Sequence, residues 1–491
     1  MEVAAGMPVI GGHQTSSPLR GLKALGPLRI PVQLGIVAAV CYLSWLAIQA
    51  WGRPYDFFDM KIYHGAMVWW TQGGELYDYI YPHITLGYTY PPFAALTMLP
   101  MAGLNAVQAA WFNVAFGLIA LTFVCAVLIN PIARRQGWPR WWTVALAVPA
   151  FAAIEPVRES LGYGQVNLLL FALVIADLVA LRKGWRWAGV GIGLATAIKL
   201  TPALFIIYLL TSRQWRTAIT AAGTALAVTV ATHLVVPEES ATYWGTVIWN
   251  TERVGAADMT PNQSLAGLVA RLQDTAHAPG LLWVSFMLVM LMIGLSRART
   301  SHTEGDELTA FTIVGLTSNV VSPISWSHHL LWVIPAIIAL SDQALRRRTA
   351  SRGIAARGGM AGLREPIWFP ALTGARHAAA AAALLVLFLV SPIWPYEHQL
   401  PAVSHWADGV TGVLWENSFV IALILLVAML PFRPGAEPAF GPVAAVIVPQ
   451  LRRVPRREPT TPRQAPAATS AASATSQPAE PKDVPPGVRG S

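Results

Sequence analysis

Apolar runs long enough to cross a bilayer recur along most of this chain, beginning with "PVQLGIVAAVCYLSWLAIQA" at residues 31–50. That recurrence restricts the fold more than any other feature. A hydrocarbon interior offers the backbone no water, so a crossing segment must satisfy its own N–H and C=O groups, as a helix or in a closed barrel. Apolar runs of about 20 residues are the helical solution. A soluble domain with buried helices is excluded by how often such runs return, and the composition agrees: 54% of the 491 residues are apolar and 12% are charged, where an aqueous surface needs about a quarter charged. The fold class is therefore all-α polytopic membrane protein, with about eleven or twelve membrane helices.

The formal charge of +9 does not indicate a nucleic-acid partner, because the Arg and Lys residues cluster in short connections and a basic tail rather than along one amphipathic face. They set orientation instead. Arg20, Lys23 and Arg29 place the N-terminal segment 1–30 in the cytoplasm, so Asp56 and Asp59 fall outside. A span at 105–129 returns the chain to Arg134, Arg135 and Arg140. Spans at 141–155 and 166–181 expose "EPVRESLGYGQVN" outside. The region 188–210 carries Lys199 and Pro202 mid-segment with basic residues on both flanks, which predicts a broken or re-entrant pair of short helices, tolerated where protein or a cavity satisfies the freed backbone. Spans near 217–236, 281–296, 308–322, 326–341, 378–394 and 413–430 complete the membrane domain, 31–430. The segment 431–491 is a cytoplasmic tail, rich in Pro, Ala, Ser and Thr, with a basic patch at Arg452, Arg453, Arg456 and Arg457 suited to anionic lipid; its composition predicts disorder. Cys41 and Cys125 read as small packing residues within spans.

This topology gathers the unusual polar residues on one side, near the lipid headgroups. The loop after the first span opens "YDFFDMKIYH" and continues rich in Tyr and Trp, residues that favour the headgroup zone and whose faces also pack on sugar rings and prenyl chains. A carboxylate there can deprotonate a hydroxyl poised to attack a sugar carbon. Transfer from a sugar phosphate with inversion requires one such base, because phosphate is already a tolerable leaving group. Asp59 fits that role, with Asp56 as second choice or helper. Departing phosphate requires donors of opposite polarity, and the candidates are His328, His329, Lys199, Arg158, Lys61 and His64; for each single residue an ordinary ion pair or packing contact competes. Two adjacent histidines after "SPISWS" are costly on a lipid-facing surface, which favours a role for at least one. Gln165, Asn167, Glu252, Arg253, Asn262 and Gln263 are candidates for a polar acceptor cleft. Gln165 and Asn167 serve equally well to join helices, Glu155, Arg158 and Glu159 can form an internal ion-pair network, and Ser264 can cap a helix from Leu265. Asn262 also opens an N-glycosylation sequon. The sequence offers no spaced Cys/His set for a metal and no phosphate-binding glycine loop, so neither metal nor cofactor is expected.

In combination, "FFDMKIYH", "LYDY", "YTYPPF", "GYGQVNLLLF", "GLATAIKLTPALF", "NQSLAGL" and "SPISWSHHLLWVIP" resemble the GT-C glycosyltransferases of the actinobacterial polyprenyl-phosphate-mannose-dependent alpha-1,2-mannosyltransferase family, over about residues 31–430. The closest appearance is to enzymes that elongate phosphatidylinositol mannosides. The resemblance implies a GT-C fold, a catalytic aspartate in the first external loop at Asp59, a histidine turn near the donor phosphate at His328 and His329, and catalysis without a divalent metal. It also implies polyprenyl-phosphate mannose as donor, a mannosylated phosphatidylinositol as acceptor and transfer on the periplasmic side of the cell membrane. Arabinofuranosyl transfer from a decaprenyl-phosphate donor, branching of lipomannan or lipoarabinomannan, and a lipid or sugar transporter are the alternatives. A transporter would show related halves and polar groups accessible from both sides; here they concentrate on one.

Overall fold

The computed structural model describes residues 29–82, 86–356 and 368–436. The basic patch and most of the expected tail lie outside these residues. Among the described residues the architecture is all helical, with only two isolated β-bridges, Ile80 to Gly87 and Asn262 to Trp326.

The helices in chain order are α1 (Arg29–Trp51), α2 (Phe58–Thr71), α3 (Pro92–Met98), α4 (Ala106–Gln136), α5 (Arg140–Ala152), α6 (Glu155–Tyr163), α7 (Asn167–Arg182), α8 (Val190–Ile198), α9 (Ala203–Thr211), α10 (Trp215–Val235), α11 (Pro237–Gly245), α12 (Leu265–Leu272), α13 (Gly280–Thr303), α14 (Glu307–Val321), α15 (Val333–Ala356), α16 (Trp368–Val390), α17 (Gly409–Glu416) and α18 (Ser418–Met429). Their boundaries follow local chemistry. Asn105 caps α4 by accepting from Gln108 N–H at 2.9 Å while the Gln108 side chain accepts from Asn105 N–H at 3.1 Å, a reciprocal box that satisfies two otherwise orphaned donors. Ser264 caps α12 as its sequence position suggested, accepting from Gly267 N–H at 3.1 Å.

Helix surfaces are inverted relative to those of a water-soluble protein. In α1 the polar Gln33 is buried, whereas Leu43 is 62% exposed; an aqueous helix would reverse that order, and a lipid-facing one would not. Helices α1, α4, α10 and α13 are long and apolar enough to cross a membrane singly, and α17 with α18 qualify together but bend by 61°. The expected eleven or twelve crossings exceed this set, because α5, α7 and α14 have 13, 16 and 15 residues, short of the roughly 20 a lone span requires. Such pieces satisfy their surroundings through protein packing rather than by length. The segment 188–210 is broken, as its Lys and Pro predicted: α8 ends at Ile198, Lys199 is extended, and α9 begins at Ala203.

Two cores result. The larger is apolar and includes α7, α14 and α15 around Phe171, Phe205, Phe311 and Trp332. The smaller belongs to the loop after α1, which is no simple interfacial belt: α2, α3 and the chain between them fold around Tyr63, Tyr77, Tyr88 and Tyr90, joined by Tyr243. The site lies where the two cores meet, since Ile198 and Val166 pack against both.

Candidate active site

Four segments converge on one polar cluster: the start of α2, the α6–α7 junction, the α8–α9 break and the turn Ser327–His329. Helix α2 is entered through two successive left-handed residues, Asp56 at φ 46° and Phe57 at φ 52°. Non-glycine residues adopt that conformation at a cost and hold it only where surroundings impose it. Here Phe57 N–H donates to the Gly162 carbonyl at 2.9 Å, which fixes the first turn of α2 against the end of α6. Gly164 ends α6 at φ +75°, and a Cβ on it would lie 2.5 Å from the Met60 side chain. Glycine at that position therefore lets the α6–α7 junction approach the residue next to Asp59.

The approach places Gln165 on Asp59. Gln165 Nε2 donates to Asp59 Oδ2 at 2.6 Å, and Gln165 Oε1 accepts from Tyr90 O–H at 3.0 Å. Tyr90 in turn accepts from Tyr63 at 3.2 Å. This relay orients the amide so that its N–H faces the acid. Asp59 remains half-buried, and loss of surrounding water raises its carboxyl to about 6, against the opposing effects of the Gln165 hydrogen bond and the Lys199 charge. A carboxyl in that range is ionised at neutral pH and basic enough to take a proton.

Lys199, whose charge acts on Asp59, donates from Nζ to Asn167 Oδ1 at 3.1 Å and lies 2.9 Å from His329 Nε2. Trp326 N–H donates to His329 Nδ1 at 3.2 Å. With Nδ1 accepting, the neutral imidazole carries its proton on Nε2, so Nε2 and a charged Lys199 are both donors. The pocket they line also includes Asn167, Asn319, Ser325, Phe171, Phe205 and Trp332, a polar group beside aromatic walls. The Lys199 amine additionally sits 5.4 Å from the Tyr90 ring centre, which links it to the Asp59 relay.

His328 lies beside this pair, its ring 4.6 Å from that of His329 and 5.4 Å from that of Tyr163, and its Nε2 lacks a hydrogen-bond partner among the described residues. The remaining candidates are engaged elsewhere. Lys61 pairs with the exposed Asp56, and His64 donates to the Leu104 carbonyl at 2.8 Å. Arg158 binds Glu155, Ser391 Oγ at 2.8 Å and the carbonyls of Ala153 and Leu389 at 2.9 and 2.7 Å; it is a buried staple with its charge already answered. Burial, and next the Glu155 charge, holds the neighbouring Glu159 carboxyl well above the usual range. Arg253 donates to the Tyr77 carbonyl. The Glu252 side chain lies outside what is described. Asn262 accepts from Ser325 N–H at 2.9 Å, and Gln263 accepts from Val420 N–H at 3.1 Å and donates to the Thr260 and Glu416 carbonyls at 2.6 and 2.8 Å. Both brace the histidine turn from behind, with their amides consumed by backbone.

Sequence reasoning did not single out Tyr63, Tyr90 or Ser327. Tyr90 could have been found from its place in "YTYPPF", where the following Pro91 holds it extended before α3. No group of three His, Cys, Asp or Glu suited to a metal occurs among the described residues.

The chain is all helical among the described residues, carries helices long and apolar enough to cross a membrane, and holds Asp59 within the electrostatic reach of Lys199. The model of glycosyltransferase family 87 matches residues 88–323. The chain is 31% identical over 420 residues, 81% of its length and 89% of the relative, to the polyprenol-phosphate-mannose-dependent alpha-(1-2)-phosphatidylinositol mannoside mannosyltransferase of Mycolicibacterium smegmatis. It is 30% identical over 350 residues, 67% of its length and 80% of the relative, to the corresponding pentamannoside mannosyltransferase of the same organism. An alpha-(1->3)-arabinofuranosyltransferase of Corynebacterium glutamicum is 25% identical over 296 residues, 57% of this chain and 67% of that relative. No solved structure matches. The chain belongs to glycosyltransferase family 87 and is a transferase of the GT-C type.

Proposed function

We propose that the protein transfers mannose from polyprenyl-phosphate mannose to the 2-hydroxyl of a mannose on a phosphatidylinositol mannoside, forming an alpha-1,2 linkage with inversion at the periplasmic face of the membrane. The observation that carries this reading is Asp59, a half-buried acid on a neutral amide, within the electrostatic reach of Lys199, whose Nζ lies 2.9 Å from His329 Nε2. Asp59 takes the acceptor hydroxyl proton, the freed oxygen pair attacks the anomeric carbon, and the bond from that carbon to the phosphate oxygen breaks. The electron pair leaves with polyprenyl phosphate, whose growing charge the Lys199 and His329 donors stabilise. Gln165 and the tyrosines behind it hold the base. The aromatic walls beside the same donors suit the first isoprene units of the lipid, and both lipid tails can remain in the bilayer while their heads meet. The names of the mannosyltransferase relatives support the donor and acceptor chosen.

The test is incubation of purified protein with polyprenyl-phosphate mannose and defined phosphatidylinositol mannosides, followed by linkage analysis. An alpha-1,2-mannosyl product is expected. Transfer only from decaprenyl-phosphate arabinose, or no transfer from either donor, would overturn the assignment.

A further inference from the structure

Within the turn, His329 N–H donates to the Trp326 carbonyl at 2.8 Å and the His329 ring accepts from Trp326 N–H at 3.2 Å, so the turn sets the direction of the ring and outside contacts set where the turn sits. From α14, Asn319 Nδ2 donates to the His329 carbonyl at 3.2 Å, and three further contacts come from α6 and the first residue of α7. Ser327 Oγ donates to the Glu159 carboxyl, Ser160 Oγ donates to the His328 carbonyl at 3.0 Å, and Asn167 Nδ2 donates to the same carbonyl at 3.2 Å. Asn167 is also the residue that accepts from Lys199.

Glu159 is the unexpected member. It is fully buried, its Oε1 has no partner among the described residues, and the adjacent Arg158 is taken by Glu155 and Ser391. Burying a carboxyl in this way is expensive, and an apolar residue would pack the position at less cost. Besides lying against the Glu155 carboxyl, it accepts one hydrogen bond from the histidine turn, that of Ser327, and this bond acts two residues from His329.

We propose that Glu159 is a positioning residue for donor-phosphate recognition: through Ser327 it sets the Ser327–His329 turn so that His329 Nε2 and Lys199 Nζ converge on one phosphate oxygen. This rests on the donor-phosphate role given above to His329 and Lys199. Glu159 touches neither substrate. The role requires an acceptor for the Ser327 hydroxyl and no net charge, which an amide supplies equally well.

The experiment measures equilibrium binding of decaprenyl phosphate to the solubilised full-length protein, with mannosyl transfer measured in parallel, for Glu159→Gln, Glu159→Ala, Ser327→Ala and the double alanine variant. Glu159→Gln should bind within about twofold of the unaltered protein. Each alanine variant should bind about tenfold more weakly, the scale of one hydrogen bond to a polar buried partner, and the double variant no more weakly than Glu159→Ala alone. The KM for the mannoside acceptor and the melting temperature of Ser327→Ala should stay unchanged. Unchanged phosphate binding in both single alanine variants, losses that add in the double variant, or acceptor KM and melting temperature moving together with phosphate binding would overturn the proposal. If the unaltered protein binds decaprenyl phosphate but transfers no mannose, the mannosyl assignment falls and the positioning role stands. If it binds no polyprenyl phosphate, both fall.

Discussion

Two of the charge clusters in this protein are built on opposite rules. In the first, Arg433 lies between Asp306 and Asp342, donating to Asp306 at 2.6 and 3.1 Å and to Asp342 at 2.9 Å, while Arg346 reaches Asp342 at 2.9 Å and Arg135 also pairs with it. Arg433 is 2% exposed and both acids are buried at 0 and 1%. Every carboxylate there faces guanidinium, so the cluster is electrically closed and joins α4, α14, α15 and the chain after α18. In the second, the acid Asp59 rests on a neutral amide and the amine Lys199 rests on a neutral amide and an imidazole. Those charges remain uncompensated at contact distance and half-open to solvent. Closed charge fixes helices; open charge is available to a substrate.

Substitutions separate the two rules. Asp59→Asn should lower kcat by about 10³-fold, within the range expected for removal of a general base, measured as mannose transfer at saturating donor and acceptor, with the protein still folded. Arg433→Met should do the reverse, costing about 3 kcal/mol or more through loss of the guanidinium that answers the buried Asp306 carboxylate, read as a fallen melting temperature, with the rate of surviving folded enzyme little changed. Lys199→Met should raise the donor KM by about 10–100-fold, the loss of one charge-assisted contact, and leave the acceptor KM in place; equal rises in both would erase the distinction drawn here.

Acidity sharpens the comparison further. Because burial lifts Asp59 from 3.8 to about 6, the base is ionised above that value and transfer should fall about tenfold per pH unit below it, since only the ionised fraction is competent. The same lift has a stability consequence of definite sign. The unfolded chain ionises this acid near 3.8 and the folded one near 6, so folding is favoured while the folded acid stays protonated, and that advantage is lost as pH rises through about 6. Asp59→Asn should therefore be more stable than the unaltered protein at pH 7.5, by about 1 kcal/mol once solvent contact at a half-exposed acid is discounted, with the gain gone near pH 4. Smallest in its effect on chemistry, Gly164→Ala should cost about 1–2 kcal/mol through its left-handed backbone and the Met60 contact.

Much of this was legible in the chain itself, and for physical reasons. Long apolar runs announce α1, α4, α10 and α13 because a lone crossing must carry its hydrophobicity in its own sequence. Lys199 and Pro202 in an apolar stretch announce the break because neither fits a continuous lipid-facing helix. Helix α2 was less visible: Asp59, Lys61 and His64 interrupt its apolar face, which packs on tyrosines far along the chain. The fates of Arg158, Asn262 and Gln263 were hidden for a related cause. Whether an arginine or an amide is spent on structure depends on partners hundreds of residues away, such as Ser391 and Val420, and no local pattern records them.

The interruption between α8 and α9 has a consequence for how the site works. Breaking a helix frees backbone groups, and several here are taken up nearby: Lys199 N–H bonds to the Ala195 carbonyl at 2.9 Å, Ala203 N–H to the Leu200 carbonyl at 2.9 Å, and the Thr201 carbonyl accepts from Ser318 Oγ at 3.1 Å. A gap sealed in this way is no hinge. The amine stands in a braced socket, so on the reading proposed above a substrate phosphate would meet its cation already in place, with little conformational freedom left to surrender on contact.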